Sequence, residues 1–105
     1  MRTLEFNVNG QRLKKRSDCD FSGIVAGSVG YLRAKFHFSE EWKGCKKAAS
    51  FWRDGYEFAV LLDEDDSCVI DSNALTEDHF QVSVTGVKHN YSIKSGKVKV
   101  RQEVY

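Results

Sequence analysis

The chain lacks proline and has only three cysteines, Cys19, Cys45 and Cys68, among 105 residues. Without proline it holds no stiff proline-rich linker. Three widely spaced cysteines with no Cys-x-x-Cys pair suit neither a disulfide framework nor a zinc site, both of which want paired spacing. Free thiols, some buried as small hydrophobes, are expected instead, and they fit a reducing compartment. Excess charge is lacking too: Lys+Arg 16 against Asp+Glu 15 gives a formal net charge of +1. That excludes the strongly basic field of a typical nucleic-acid binder and an acidic disordered tail. No apolar run approaches the ~20 residues of a membrane span. Met1-Arg2-Thr3-Leu4-Glu5-Phe6 has no secretory apolar stretch. The expectation is a cytoplasmic protein with neither nucleic acid nor membrane as partner.

What is present suffices for one compact domain spanning residues 1–105. A chain of this length buries ~65% of the surface it exposes when unfolded. Its 41% hydrophobic content can fill one modest core.

The side-chain period is two almost throughout. Leu4, Phe6 and Val8 alternate with polar residues up to Asn9-Gly10, and Gln11-Arg12-Leu13-Lys14-Lys15 follows. Asn-Gly between extended runs signals a hairpin, because both residues accept positive φ; it is expected over residues 3–16. Residues 17–30 are polar and glycine-rich, with a short strand expected at Ile24-Val25. Leu32, Ala34, Phe36 and Phe38 then alternate with Tyr31, Arg33, Lys35 and His37, the mark of a sheet with one buried and one wet face. Ser39 is placed to cap a turn of helix that Gly44 ends, with Trp42 folded back on the core. Further strands are expected at 47–53, 56–62, 67–70, 79–85, 91–93 and 97–102, with turns at Asp54-Gly55, Asp63–Asp66 and Gly86–Asn90. Short strands at this spacing predict an all-β fold, an immunoglobulin-like antiparallel β-sandwich of about eight strands with one helical turn.

No constellation carries catalysis. Counted from Asp63, a calcium loop would need glycine sixth and glutamate twelfth, but Cys68 and Ala74 stand there; the run reads as a solvated turn. The basic run Arg12–Arg16 lies on a predicted strand whose lysines guard an edge. Gly23, Gly27 and Gly30 lead into a strand and lack the Gly-Lys-Ser/Thr of a phosphate loop. His37, His79 and His89 are scattered, without metal-ligand spacing. No enzymatic activity, cofactor or metal is expected.

Exposed aromatics remain. Alternation turns Tyr31, Trp52, Tyr91 and Tyr105 outward. Trp, Tyr and Arg dominate binding hot spots. Trp52 and Arg53, beside Asp54-Gly55, are therefore the first candidates for protein binding, with Tyr31, Tyr91 and Tyr105. A cross-strand aromatic pair that merely stabilises its sheet is the competing reading of Trp52.

From Tyr31 onward the chain resembles a known family. The residues are Phe36-His37-Phe38-Ser39-Glu40-Glu41-Trp42-Lys43-Gly44, then Lys47–Phe51, Tyr56–Leu62, Cys68-Val69-Ile70, Leu75, Phe80–Gly86 and Ile93. They are similar to small β-sandwich modules among the structural genes of phages and prophages of Gram-positive bacteria, in particular the N-terminal module of the phage baseplate upper protein. Such modules often carry proline where this chain has Asp71, and a long fibre often follows them. The resemblance implies no catalytic residues. It implies a virion component of tail, baseplate or head that binds other particle proteins and assembles as a homo-oligomer. The alternative is a small phage-encoded inhibitor or adaptor that binds a host protein, such as a defence enzyme.

Overall fold

A computed structural model describes residues 1–105. It is all-β, with two facing sheets. Nine strands follow one another: β1 (Arg2–Asn9), β2 (Arg12–Lys15), β3 (Leu32–Phe38), β4 (Lys46–Arg53), β5 (Tyr56–Leu61), β6 (Ser67–Val69), β7 (His79–Lys88), β8 (Tyr91–Lys94) and β9 (Val98–Arg101). Short 3-10 turns at Glu40–Trp42 and Ser72–Ala74 separate β3 from β4 and β6 from β7. The first sheet has the order β2-β1-β3-β6. The second runs β5-β4-β7, and β7 then pairs with both β8 and β9.

Alternation places Leu4, Phe6 and Val8 of β1 opposite Ala34, Phe36 and Phe38 of β3 on the inner face. Phe51 of β4 and Phe80, Val82 and Val84 of β7 meet them from the other sheet. Each large apolar side chain so buried contributes about 1.5–3 kcal/mol relative to exposure. Phe6 stacks on Phe36 at 5.3 Å, and Phe38 packs on Trp42 at 5.0 Å. Trp42 is fully buried, and its indole N–H donates to the Gly10 carbonyl at 2.8 Å. The expected core plug is therefore present.

The structure corrects several expectations. The sandwich is not purely antiparallel, because β1 and β3 run parallel, from Arg2 opposite Leu32 to Val8 opposite Phe38. A parallel pair needs a long crossover, and the glycine-rich stretch supplies it. Arg2 fastens that crossover by donating to the carbonyls of Asp20 and Ser22. The strand expected at Ile24-Val25 is a single bridge between Val25 and Glu103. Asn9 pairs with Arg12, so the first hairpin turns on Gly10-Gln11, one residue later than expected. Only Gly10 of those two has positive φ, at 60°, as glycine-first hairpin turns require. Ser39 occupies the helix cap position without capping: its hydroxyl accepts from the Gly10 N–H and donates to Glu41. Finally, β7 does not turn at Gly86 but continues to Lys88.

Candidate protein-binding surfaces

Trp52 lies on the outer face of the second sheet, opposite Glu57 of β5 and Gln81 of β7. Its indole N–H donates to the Ser83 hydroxyl at 3.0 Å. The Lys97 ammonium stands 3.7 Å from the ring centroid, a cation–π contact on the solvent side. Ser50 and Ser83 share this outer face, yet they are only 4% and 8% exposed. Ser50 donates to the Glu57 carboxylate. Trp52 is thus partly buried and engaged within its own sheet.

Arg53 points to the other face, as its neighbour position demands. Its guanidinium donates to the Asn73 carbonyl at 2.9 Å and the Thr76 hydroxyl at 3.1 Å, and lies over Phe58. Trp52 and Arg53 therefore do not form one patch. Arg53 ties β4 to the segment after β6. The Tyr91 hydroxyl donates to the Glu41 carbonyl at 3.0 Å, while Lys88 covers its ring and reaches the Lys43 carbonyl. Tyr91 thereby braces the first 3-10 turn. Tyr31 and Tyr105 are the freest candidates, 50% and 94% exposed. Tyr31 and Val25 line one shallow pocket, and Glu103 bridges to Val25. Val29, Val104 and Tyr105, exposed as well, lie within two residues of Tyr31 or Glu103 in sequence.

An edge strand that sequence reasoning passed over is the more pronounced surface. β5 is the last strand of the second sheet. The Leu62 N–H donates to the Lys47 carbonyl at 3.0 Å. Antiparallel alternation from that bond makes 49:60, 51:58 and 53:56 the bonded pairs, and 48:61, 50:59 and 52:57 the unbonded ones. The backbone groups of Glu57, Ala59 and Leu61 consequently point away from β4. Tyr56 is 65% exposed and Leu61 74%. Glu57 is the one charge between Tyr56 and Leu62, with no lysine or proline to guard the edge. The sequence held a signal: Phe58-Ala59-Val60-Leu61-Leu62 is apolar at every position, unlike a strand with one wet face.

Charge is divided between the two sides. The acidic turn after β5 is latched to the body by three ion pairs: Asp63 to Arg33 at 3.0 Å, Asp65 to Lys35 at 3.9 Å and Asp66 to Lys47 at 3.0 Å. The expected solvated turn is thus also a fastening. The opposite side carries Arg12 and Lys14 on β2 with Lys94, Lys97, Lys99 and Arg101 on β8, β9 and the loop between them. The β2 strand is the edge of its sheet, as its basic run suggested.

His37 meets Glu5, and His79 meets Asp78, each at 2.7 Å. Neither histidine contacts a cysteine thiol or serine hydroxyl. No three His, Cys, Asp or Glu side chains converge as metal donors. All three cysteines are free, with Cys68 buried and Cys19 and Cys45 partly exposed. No helix is long and apolar enough to cross a membrane. Comparison with protein-family models, curated proteins and solved structures gives no significant match to the chain.

Proposed function

We propose that the chain is a non-catalytic protein-binding module of a phage or prophage particle, in the tail, baseplate or head. The observation that carries protein binding is the open, apolar β5 edge, whose backbone groups at Glu57, Ala59 and Leu61 are left for a partner strand. Strand addition to such an edge is a common mode of recognition. The particle role is supported by the resemblance from Tyr31 to Ile93. An immunoglobulin-like arrangement is supported by the antiparallel succession β5-β4-β7-β8 facing β3 and β6. On this reading the protein is made in the cytoplasm of the producing cell and then assembled into the virion.

A second reading, a host-directed inhibitor or adaptor, is favoured by the exposed Val25 and Tyr31 around one shared pocket. Affinity capture with tagged protein from producing cells, with and without phage induction, separates the two. Tail, baseplate or head proteins are expected in the induced sample. A single host enzyme, captured in both samples, would replace the particle reading with the inhibitor.

A further inference from the structure

We propose that the β5 edge docks a second copy of this chain, β5 against β5 and antiparallel, with the two-fold axis at Ala59. The inference rests on the protein-binding reading above and names the partner of its open edge. An antiparallel pairing bonds through residues whose backbone groups face outward on both strands, and with the axis at Ala59 those are Glu57, Ala59 and Leu61. Glu57 then bonds opposite Leu61 of the other copy. On the core-facing side Phe58 meets Val60, and Tyr56 meets Leu62. The strand is therefore self-complementary: apolar side chains left at the rim of one sandwich cover those of the other. Tyr56 and Leu61, 65% and 74% exposed alone, gain cover.

Charge disfavours two other registers. Sliding one way brings Glu57 against Glu57, and sliding the other brings Glu57 against Asp63. Like charges directly opposite each other are destabilising in a sheet. An axis at Phe58 avoids that clash but leaves Leu61 opposite Gly55 and Leu62 opposite Asp54, whereas the axis at Ala59 pairs the run Tyr56–Leu62 with itself. The remaining edges are less suited. β2 is guarded by Arg12, Lys14 and Lys15, β8 by Lys94, and β9 by Lys99 and Arg101, while β6 is only three residues long. Two-fold dimers are also the commonest closed assembly.

Light scattering over a concentration series tests the inference. A mass of twice the 12.0 kDa chain is expected. Ala59→Pro deletes an N–H that faces away from β4, and Ala59→Lys places like charges on the axis. Each is expected to weaken dimerisation about tenfold or more, because a buried backbone group loses its partner or a charge is opposed. Far-UV circular dichroism of both should stay native. If either variant fails to fold, cross-linking still decides, with Cys19 and Cys45 replaced by serine. Ala59→Cys should form a disulfide-linked dimer on mild oxidation, since bonded pairs lie ~5.5 Å apart at Cα, within disulfide reach. Glu57→Cys should not. A monomer at every concentration, a dimer indifferent to both Ala59 variants, or equal cross-linking at residue 57 would overturn the pairing. A monomer that still captures particle proteins would remove self-pairing and leave the protein-binding function standing. A dimer that captures no protein from the cell would do the reverse.

Discussion

Gly86 faces the ring of Trp42 so closely that a Cβ built on it would stand 2.8 Å from Cε3 and 3.0 Å from Cζ3. The absence of a side chain lets β7 pass over the buried indole without bending. Glycine inside a strand often marks such a close approach. Gly86→Ala should therefore destabilise the fold by about 1–3 kcal/mol, the usual range for overpacking. Trp42→Phe relieves the two nearest contacts, leaving the Cys45 Cβ at 3.1 Å, so the two changes together should cost less than their sum. Urea unfolding of the four proteins in the cycle measures this. Additive effects would mean that Gly86 answers to backbone geometry rather than to Trp42.

The indole of Trp52 is held between the Ser83 hydroxyl and the Lys97 ammonium, which makes it first a stabiliser of its own sheet. Trp52→Ala should cost about 1–2 kcal/mol, less than a fully buried aromatic. Lys97→Ala should cost about 0.5–1 kcal/mol, typical of an exposed cation–π pair. The Trp52 contribution to fluorescence should shift to the red as Lys97 is removed. Unchanged stability and emission in Lys97→Ala, with loss of partner capture in Trp52→Ala, would return Trp52 to the role of a binding anchor.

These two tryptophans show where the sequence was legible. The period-two pattern around Phe6, Phe36, Phe51 and Val82 marked the strands and their inner faces, because burial of one face imposes it. That same period already separates Trp52 from Arg53, since neighbours on a strand face opposite ways. Strand order left no such trace. Alternation in β1 and β3 is the same whether they run parallel or antiparallel, so the crossover through residues 16–31 came only with the structure. The all-apolar run Phe58–Leu62 set β5 apart, but its place at the edge of the sheet likewise came only with the strand order. Gly86 looked like turn punctuation because its constraint lies in Trp42, distant in sequence.

Hydrogen bonds at the surface hold several carboxyls below their ordinary range. The Ser67 hydroxyl lowers Asp65, and the Arg16 guanidinium, through its hydrogen bond, lowers Asp18. Ser39 does the same for Glu41, and His79 for Asp78. A carboxyl depressed in the folded state takes up protons more readily once unfolded. Its contribution is complete above the unfolded value and is lost as pH falls through the folded one. The urea midpoint should accordingly be flat between about pH 5 and pH 9 and decline steadily from pH 5 toward pH 2. Ser67→Ala should shallow that decline as well as lower the neutral-pH midpoint, because it removes the donor to Asp65. An identical acid slope in Ser67→Ala would show that the Ser67–Asp65 bond is not maintained in solution.

Cys68 behaves in the opposite sense at alkaline pH. Burial pushes its thiol up to about 12, against an ordinary 9.0, with Asp63 adding to the rise and Arg33 opposing it. The folded state resists the thiolate and the unfolded chain does not. Stability from this group is therefore complete below pH 9 and lost as pH rises toward 12. Reactivity follows the same physics, because only an accessible thiolate attacks. In native protein at pH 8, Cys19 and Cys45, both partly exposed, should be alkylated by iodoacetamide. Cys68 should remain unmodified until urea opens the sandwich. Mass spectrometry of the digested protein reads each site separately. Cys68→Ala should flatten the alkaline decline in the urea midpoint, with a modest cost at neutral pH for the lost sulfur contacts. Labelling of Cys68 at the rate of Cys45 without denaturant would mean that β6 opens on its own. The contact between the first sheet and the Asp63–Asp66 turn would then be too weak to hold that edge.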